Sequence, residues 1–366
     1  MGKQALQTRT ARLRRSNCAA PGISRVRRGR GFEYRDPDDA RIDDPEVIER
    51  IRELAIPPAW NEVWICIDPL GHLQATGVDD AGRKQYLYHG RWRTHRDREK
   101  FDSMLAFGAS LPRLRRRIAR DLKRPGDSAA AVPSAELTRE RVLACAVRLL
   151  DLGFFRIGSE DYAERNESYG LTTMLREHVT LSEDELIFDF PAKSSQRRVQ
   201  AITDGQALGV IRALKRRRSG SQLLAFREDG AWKELSAEEV NSYLKQHAGD
   251  AFTAKDFRTW NASVLAAVAL AAAEAQAPAA RGREVKRAVK TVAAYLGNTP
   301  AVARASYIDP RVIDRFQAGV TIAPALGKRL KPDLASPRVR KRVETAVLEL
   351  LDHAPATSGI NLSSQE

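Results

Sequence analysis

Two hydrophobic periodicities divide this chain. Alternating apolar and polar residues, the spacing of strands, occur in short runs at Val63–Asp68, Leu73–Thr76, Arg83–His89 and, around the turn Pro191-Ala-Lys-Ser-Ser195, over Val179–Ala201. From about residue 205 the apolar positions recur at helical spacing instead, over 205–217, 237–246, 254–275, 283–296 and 336–352. Earlier helices are expected at 46–55, ended by Pro57-Pro58, at 92–123, which is strongly basic, and at 135–152, with Ser134 as cap. Strands and helices that segregate along a chain in this way point to an α+β protein: a small β-rich N-terminal domain, then a larger, mainly helical domain with one hairpin.

At 366 residues and 43% hydrophobic content, the chain can bury cores for two or three domains. The net charge of +14 and pI of about 9.9 point to a polyanionic partner, nucleic acid ahead of an anionic membrane, since no basic amphipathic helix with an aromatic face stands out. Cys18, Cys66 and Cys145 lie far apart with no metal-ligand spacing, as expected of reduced structural thiols in the cytosol. No secretory signal is visible, and the most apolar run, Val264–Ala273, is too short to cross a bilayer. Residues 1–30 carry nine Lys or Arg and no acid, which reads as a disordered basic arm. The acidic stretch Asp36–Glu46 reads as loop and helix cap, and the tail from Pro355 as polar and frayed. The expected divisions are therefore 1–30, 31–91, 92–354 and 355–366.

Four places could carry chemistry. Arg156 sits inside the apolar run Leu152-Gly-Phe-Phe-Arg-Ile-Gly158, where a charge is costly to bury unless an anion meets it. Lys193 lies at the hairpin tip, followed by Arg197 and Arg198. Thr253 and Asp256 have capping-box spacing, so Arg258 falls in the opening turns of a long helix, where phosphate is attracted. Last, Gly297 and Pro300 punctuate a turn, and a short apolar helix leads to Tyr307 and stops at Pro310. Taken singly, these positions read as a snorkelling arginine, a solvated turn, a helix-start charge and a packing tyrosine. A Gly-rich phosphate loop with Lys-Ser/Thr is missing, so ATP use is not expected. Nor do carboxylates or histidines show metal-ligand spacing. A phosphoryl-transfer site here would work through cationic side chains, with no cofactor.

In order, these segments resemble the type IB DNA topoisomerases, in particular the small bacterial and viral branch. The resemblance covers roughly residues 30 to 320. It rests on Phe155-Arg-Ile-Gly158 followed by Tyr162 and Asn166-Glu-Ser-Tyr-Gly-Leu-Thr172, on Lys193, on Lys255-Asp-Phe-Arg-Thr259, and on Gly297-Asn-Thr-Pro300 leading to Ser306-Tyr307. Gly82-Arg-Lys-Gln-Tyr-Leu-Tyr88 also looks like the strand that family members lay against the DNA major groove. The resemblance implies two domains clamping duplex DNA, relaxation of supercoils without ATP, and a monomeric, nucleoid-associated enzyme of bacterial type. It implies Tyr307 as nucleophile, forming a 3′-phosphotyrosyl link, with Arg156, Lys193 and Arg258 catalytic. Asn298 stands where part of the family has histidine; its amide can still donate a hydrogen bond but cannot shuttle a proton. Lys84, Gln85, Tyr86, Tyr88, Tyr162, Arg197 and Lys255 are the expected DNA contacts, with Gln85, Tyr86 and Tyr88 as the candidates for base edges.

A tyrosine recombinase is the nearest alternative, with a related Arg-Lys-Arg-Tyr set. There a histidine typically lies three residues before the second arginine, where this chain has Lys255. A non-enzymatic basic DNA-binding protein would explain the charge but not the ordered motifs.

Overall fold

The computed structural model describes residues 11–123, 136–159, 163, 167–193, 196–273, 278–327 and 332–352. Ser134, Tyr162, Asn166 and the tail from Pro355 lie outside the described residues. The chain divides into two compact units, one reaching to Lys100 and the other running from Phe101 to Ala356.

The first unit is a five-stranded antiparallel sheet of order β2-β1-β3-β4-β5. Its strands are β1 (Ile23–Arg28), β2 (Gly31–Arg35), β3 (Asn61–Ile65), β4 (Leu73–Val78) and β5 (Lys84–Tyr88). Helix α1 (Pro45–Glu53) opens with Asp44 as N-cap, its carboxylate accepting from the Glu46 N–H at 2.9 Å, and Pro45 in the first turn. Its Ile51 packs with Ile23, Val63, Ile65 and Ala75 to form the small core.

The basic arm expected over residues 1–30 is folded over much of its length. Ile23–Arg28 is β1, paired with both β2 and β3. Ahead of it, Ser16 donates to the Leu73 carbonyl at 2.8 Å and accepts from the Leu73 N–H at 3.0 Å. The arginines are accommodated locally: Arg25 donates to the Ile56, Pro57 and Trp60 carbonyls and stacks on Phe32. High charge therefore hid a strand whose alternate side chains have polar work to do.

The division between the units falls inside α2 (Gly90–Leu122). The second unit packs the rest of that helix with α3 (Arg139–Gly153), a three-stranded sheet of β6 (Val179–Leu181), β7 (Leu186–Ala192) and β8 (Gln196–Ile202), α4 (Gly205–Lys215), a hairpin of β9 (Ala225–Glu228) and β10 (Ala231–Glu234), and α5 (Ala237–Ala248). Then come α6 (Ala254–Ala271), α7 (Pro278–Leu296), α8 (Pro300–Ser306), α9 (Pro310–Gln317), α10 (Ala323–Leu326) and α11 (Pro337–Asp352). One continuous core runs through it, with Phe107, Phe188, Phe257 and Trp260 among its fully buried side chains.

Several local expectations shift. The cap of α3 is Thr138, accepting from the Arg141 N–H at 3.4 Å, four residues beyond the expected Ser134. Helix α8 ends at Ser306, not at Pro310, which instead occupies the first turn of α9. The β9–β10 hairpin was not anticipated. No helix among the described residues is long and apolar enough to cross a membrane.

Candidate active site

At the C-terminal end of α7 three arginines of the second unit meet, none paired with a carboxylate among the described residues. A helix leaves its last carbonyls without intrahelical donors and carries partial negative charge there. Gly297, with φ of 61°, turns the chain out of the helix. The Asn298 N–H then donates back to the Ala293 carbonyl at 3.0 Å and the Gly297 N–H to Ala294 at 3.2 Å, the pattern of a Schellman cap. The next three carbonyls are each taken by a different arginine. Arg198 of β8 donates to Tyr295 at 2.6 Å, Arg258 of α6 to Leu296 at 2.9 Å, and Arg156 to Gly297 at 3.3 Å.

Each arginine is delivered by local sequence. Arg156 follows Phe154, which closes α3 in the left-handed region, and Phe155, which is buried against Phe188. Its strand-like segment is strapped to residues 170–172: Leu171 N–H donates to the Arg156 carbonyl and Thr172 N–H to Ile157, both at 2.8 Å. A Cβ on Gly170 would lie 2.3 Å from the Gly158 nitrogen, so the two segments approach this closely only with glycine there. That strap is the physical content of the Arg-Ile-Gly and Gly-Leu-Thr motifs. Arg258 is set by the α6 cap, in which Asp256 accepts from Thr253 N–H at 2.7 Å. It is only 3% exposed and also donates to the Phe154 carbonyl.

Tyr307 follows α8, whose N-terminus is capped by Thr299 and started by Pro300. Its N–H donates to Ala303 at 3.1 Å. Ser263 of α6 holds both sides of it, donating to the Tyr307 carbonyl at 3.3 Å and accepting from the Asp309 N–H at 2.9 Å. Asp309 is fully buried and bonded to Arg311. The half-buried phenol ring lies 5.2 Å from the Arg258 guanidinium carbon. Asn298 Oδ1 accepts from Arg156 at 2.7 Å, which leaves its Nδ2, buried and without a hydrogen-bond partner among the described residues, as a spare donor.

Electrostatics follow from this geometry. Among the described residues none of the three arginines pairs with a carboxylate; their partners are neutral oxygens and the Tyr307 phenol. Burial, with the repulsion of Arg156 added, lowers the pKa of Arg258 to about 10, partly opposed by Tyr307. Burial and then Arg156 lower that of Arg198 as well. A guanidinium does not surrender its proton near neutrality, so these shifts register an uncompensated charge. For Tyr307, burial pushes the phenol pKa up, but Arg258, Arg156 and Lys255 outweigh it, and the net direction is down from the ordinary value. The cluster thus sets three cations, with no carboxylate to balance them among the described residues, beside a phenol whose pKa Arg258 and Arg156 lower.

The expected residues fall out as follows. Arg156, Arg258, Asn298 and Tyr307 converge, and exposed Lys255 contributes to the field on the phenol. Lys193 stands exposed at the β7–β8 tip. Arg197, on the outer face of β8, is paired with Asp189 across the hairpin. Arg198 was noted in the sequence only as a neighbour of Lys193, yet it joins the cluster. Register could have found it: it pairs with Phe190, and cross-strand partners share a face, here the buried one. Tyr162 lies outside the described residues.

In the first unit, β5 alternates. Lys84, Tyr86 and Tyr88 point outward from this edge strand, the two rings stacked at 6.3 Å and 48% and 39% exposed, with the Lys84 ammonium 5.9 Å from the Tyr86 ring. Gln85 does not share that face; it donates to Asp79 at 2.8 Å. By the strand's period of two its Cβ lies on the opposite face of β5 from the two rings.

Known proteins share both parts of this chain. The family model for the catalytic core of eukaryotic DNA topoisomerase I matches residues 89–331, and that for the N-terminal domain of bacterial DNA topoisomerase IB matches residues 31–79. DNA topoisomerase 1B of Acanthamoeba polyphaga mimivirus is 30% identical over 304 residues, spanning 81% of this chain and 88% of that protein. DNA topoisomerase 1B of Vaccinia virus (strain Copenhagen) is 21% identical over 285 residues, 74% of this chain and 82% of the viral one. DNA topoisomerase 1 of Schizosaccharomyces pombe is 33% identical over 131 residues, which is 35% of this chain and 15% of the yeast protein.

Proposed function

The chain belongs to the type IB DNA topoisomerases, and from that premise we propose that the cluster at the end of α7 is its transesterification site, with Tyr307 as the nucleophile. The phenol oxygen attacks a DNA phosphodiester and a bond forms between it and phosphorus. The bond from phosphorus to the 5′-oxygen breaks, leaving a 3′-phosphotyrosyl link and a free 5′-hydroxyl. The phenol proton passes to solvent water as attack proceeds, a loss favoured by the neighbouring cations. Lys193, carried on the hairpin tip, supplies a proton to the departing 5′-oxygen.

Arg156 and Arg258 hold the nonbridging oxygens, on which charge accumulates, through forked hydrogen bonds. The spare Nδ2 of Asn298 is a third donor to the same oxygens. The ester retains the bond energy, so the 5′-hydroxyl reverses the reaction without ATP, and the open strand can rotate meanwhile. Lys255, Arg197 and Tyr162 are proposed to contact the backbone, and Lys84, Tyr86 and Tyr88 of the first unit to offer a cation and two exposed rings to the duplex. A monomer acting in the nucleoid fits this reading.

One observation carries it: Arg258, buried, and Arg156, without carboxylate partners among the described residues, stand beside a phenol whose pKa they pull down. Strand exchange of the recombinase kind uses similar chemistry, but the family matches over both units favour relaxation. The test is Tyr307→Phe. Duplex affinity should be retained while the covalent adduct and plasmid relaxation disappear. Relaxation at the parent rate, or an adduct mapped to another residue, would refute the assignment.

A further inference from the structure

Arg198 has no place in the set above, yet it takes one of the three α7 carbonyls. Its Nη2 donates to Tyr295 at 2.6 Å, and its Nη1 is buried with no hydrogen-bond partner among the described residues. The guanidinium lies against Gly297 so closely that a Cβ on that glycine would fall 2.4 Å from Nη1. Gly297 is therefore constrained twice, by its positive φ and by the space Arg198 fills. The next residue is Asn298, whose Oδ1 is bonded to Arg156 and whose Nδ2 has no hydrogen-bond partner among the described residues.

A partly buried cation repelled by Arg156 is unfavourable, and a methionine or leucine would fill the volume without that repulsion. The arginine therefore does something apolar packing would not. We propose that Arg198 is a positioning residue: by binding the Tyr295 carbonyl and bracing Gly297, it holds the Gly297–Asn298 turn so that the Asn298 amide faces the phosphate. Because Arg198 also belongs to β8, which rises from the hairpin tip, it ties the strand after Lys193 to the segment that leads into Tyr307.

This rests on the reading of Tyr307 and Asn298 given above, and a double-mutant cycle separates the two. Single-turnover formation of the covalent adduct on a duplex would be measured with saturating enzyme for Arg198→Met, Arg198→Lys, Asn298→Ala and the Arg198→Met/Asn298→Ala pair, with Tyr307→Phe alongside. Arg198→Met is expected to be slower on the order of tenfold, the scale of one well-placed hydrogen bond lost in the transition state, with duplex affinity unchanged within about twofold. Arg198→Lys keeps a donor for the carbonyl and should recover part of the rate. The pair should be no slower than Asn298→Ala beyond about twofold, because Arg198 acts through that residue. Losses that multiply in the pair, or a parent rate in Arg198→Met, would overturn the inference while leaving Tyr307 standing. Adduct formation by Tyr307→Phe would sink the underlying reading instead. Should Arg198→Met not fold, the same cycle with Arg198→Lys decides, and multiplying losses there would overturn the inference equally.

Discussion

Five positions along the chain separate two opposite ways of burying arginine. Asp151, fully buried near the end of α3, is gripped by Arg115 at 2.9 Å, by Arg340 at 2.7 Å and, more loosely, by Arg148 at 3.7 Å. Glu344 takes further hydrogen bonds from Arg115 and Arg340, and Asp204 takes Arg148. Three cations there meet three carboxylates. Burial alone would raise the Asp151 pKa, but its arginines bring it down to about 2. Around Arg156 three cations instead meet carbonyl oxygens, an amide oxygen and a phenol, and the pKa of Arg258 falls. The first cluster is electrically closed and staples α2, α3 and α11 together. The second is held in place by a helix terminus that orients arginines without neutralising them, so its attraction for an anion remains available. What distinguishes them is the missing carboxylate, not the burial.

Exchanging the roles should break the comparison most sharply. Arg258→Met is expected to slow covalent adduct formation on the order of a thousandfold, as removal of a donor to developing charge does elsewhere. Its thermal stability should change little, since a cation repelled by its neighbours is lost along with its hydrogen bonds. Arg115→Met should do the reverse. It leaves Asp151 and Glu344 short of a partner, which costs about 3–5 kcal/mol of stability, while activity per folded molecule stays within a few-fold. Denaturant unfolding and single-turnover cleavage on both variants check this. A stability loss in Arg258→Met as large as that in Arg115→Met would erase the distinction.

The two clusters also differ in how far the sequence discloses them. The active-site motifs are local: glycines that permit the 158–170 strap, the Thr253–Asp256 cap, the Gly297 turn and Pro300 can all be read along the chain, because each solves a backbone problem within a few residues. The closed network has no local signature, since Arg115, Asp151 and Glu344 are brought together only by helix packing. Arg198 falls between. Its register opposite Phe190 was available in principle, but a pair of adjacent arginines reads as a solvated strand until the buried face is known. Strand β1 was lost for a related reason: arginines at 25, 27 and 28 mask the apolar Ile23 and Val26.

A smaller effect sharpens the same contrast without substrate. An open cation cluster should bind a small tetrahedral anion, and a closed one should not. Sulfate at a few times a millimolar dissociation constant would stabilise the parent by about 1 kcal/mol, or about 2 °C in thermal midpoint for a unit of this size. Arg115→Met, though less stable, should show the same increment, and Arg258→Met a clearly reduced one. Equal increments in all three proteins would mean that sulfate acts by general exclusion from the surface and that the cluster is not an anion site.

The finest test reads the phenol directly. Cations around Tyr307 outweigh its burial, so its pKa in the folded protein lies below the ordinary value. In the ultraviolet difference between parent and Tyr307→Phe, phenolate absorbance should therefore appear at lower pH than for a free tyrosine, whose pKa is about 10. The linkage has a definite sign. An acid with a depressed folded pKa contributes stability that is fully present above its unfolded pKa and is lost as pH falls through the folded one. The parent should accordingly gain stability over Tyr307→Phe as pH rises through that window toward about 10. Arg258 is the strongest of the lowering influences, ahead of Arg156 and Lys255. In Arg258→Met burial persists while that influence is gone, so the inflection should move up, and in Lys255→Met it should move up less. A phenol titrating at or above the ordinary value in the parent, or unmoved in Arg258→Met, would mean that the open cluster does not act on the Tyr307 phenol before DNA arrives.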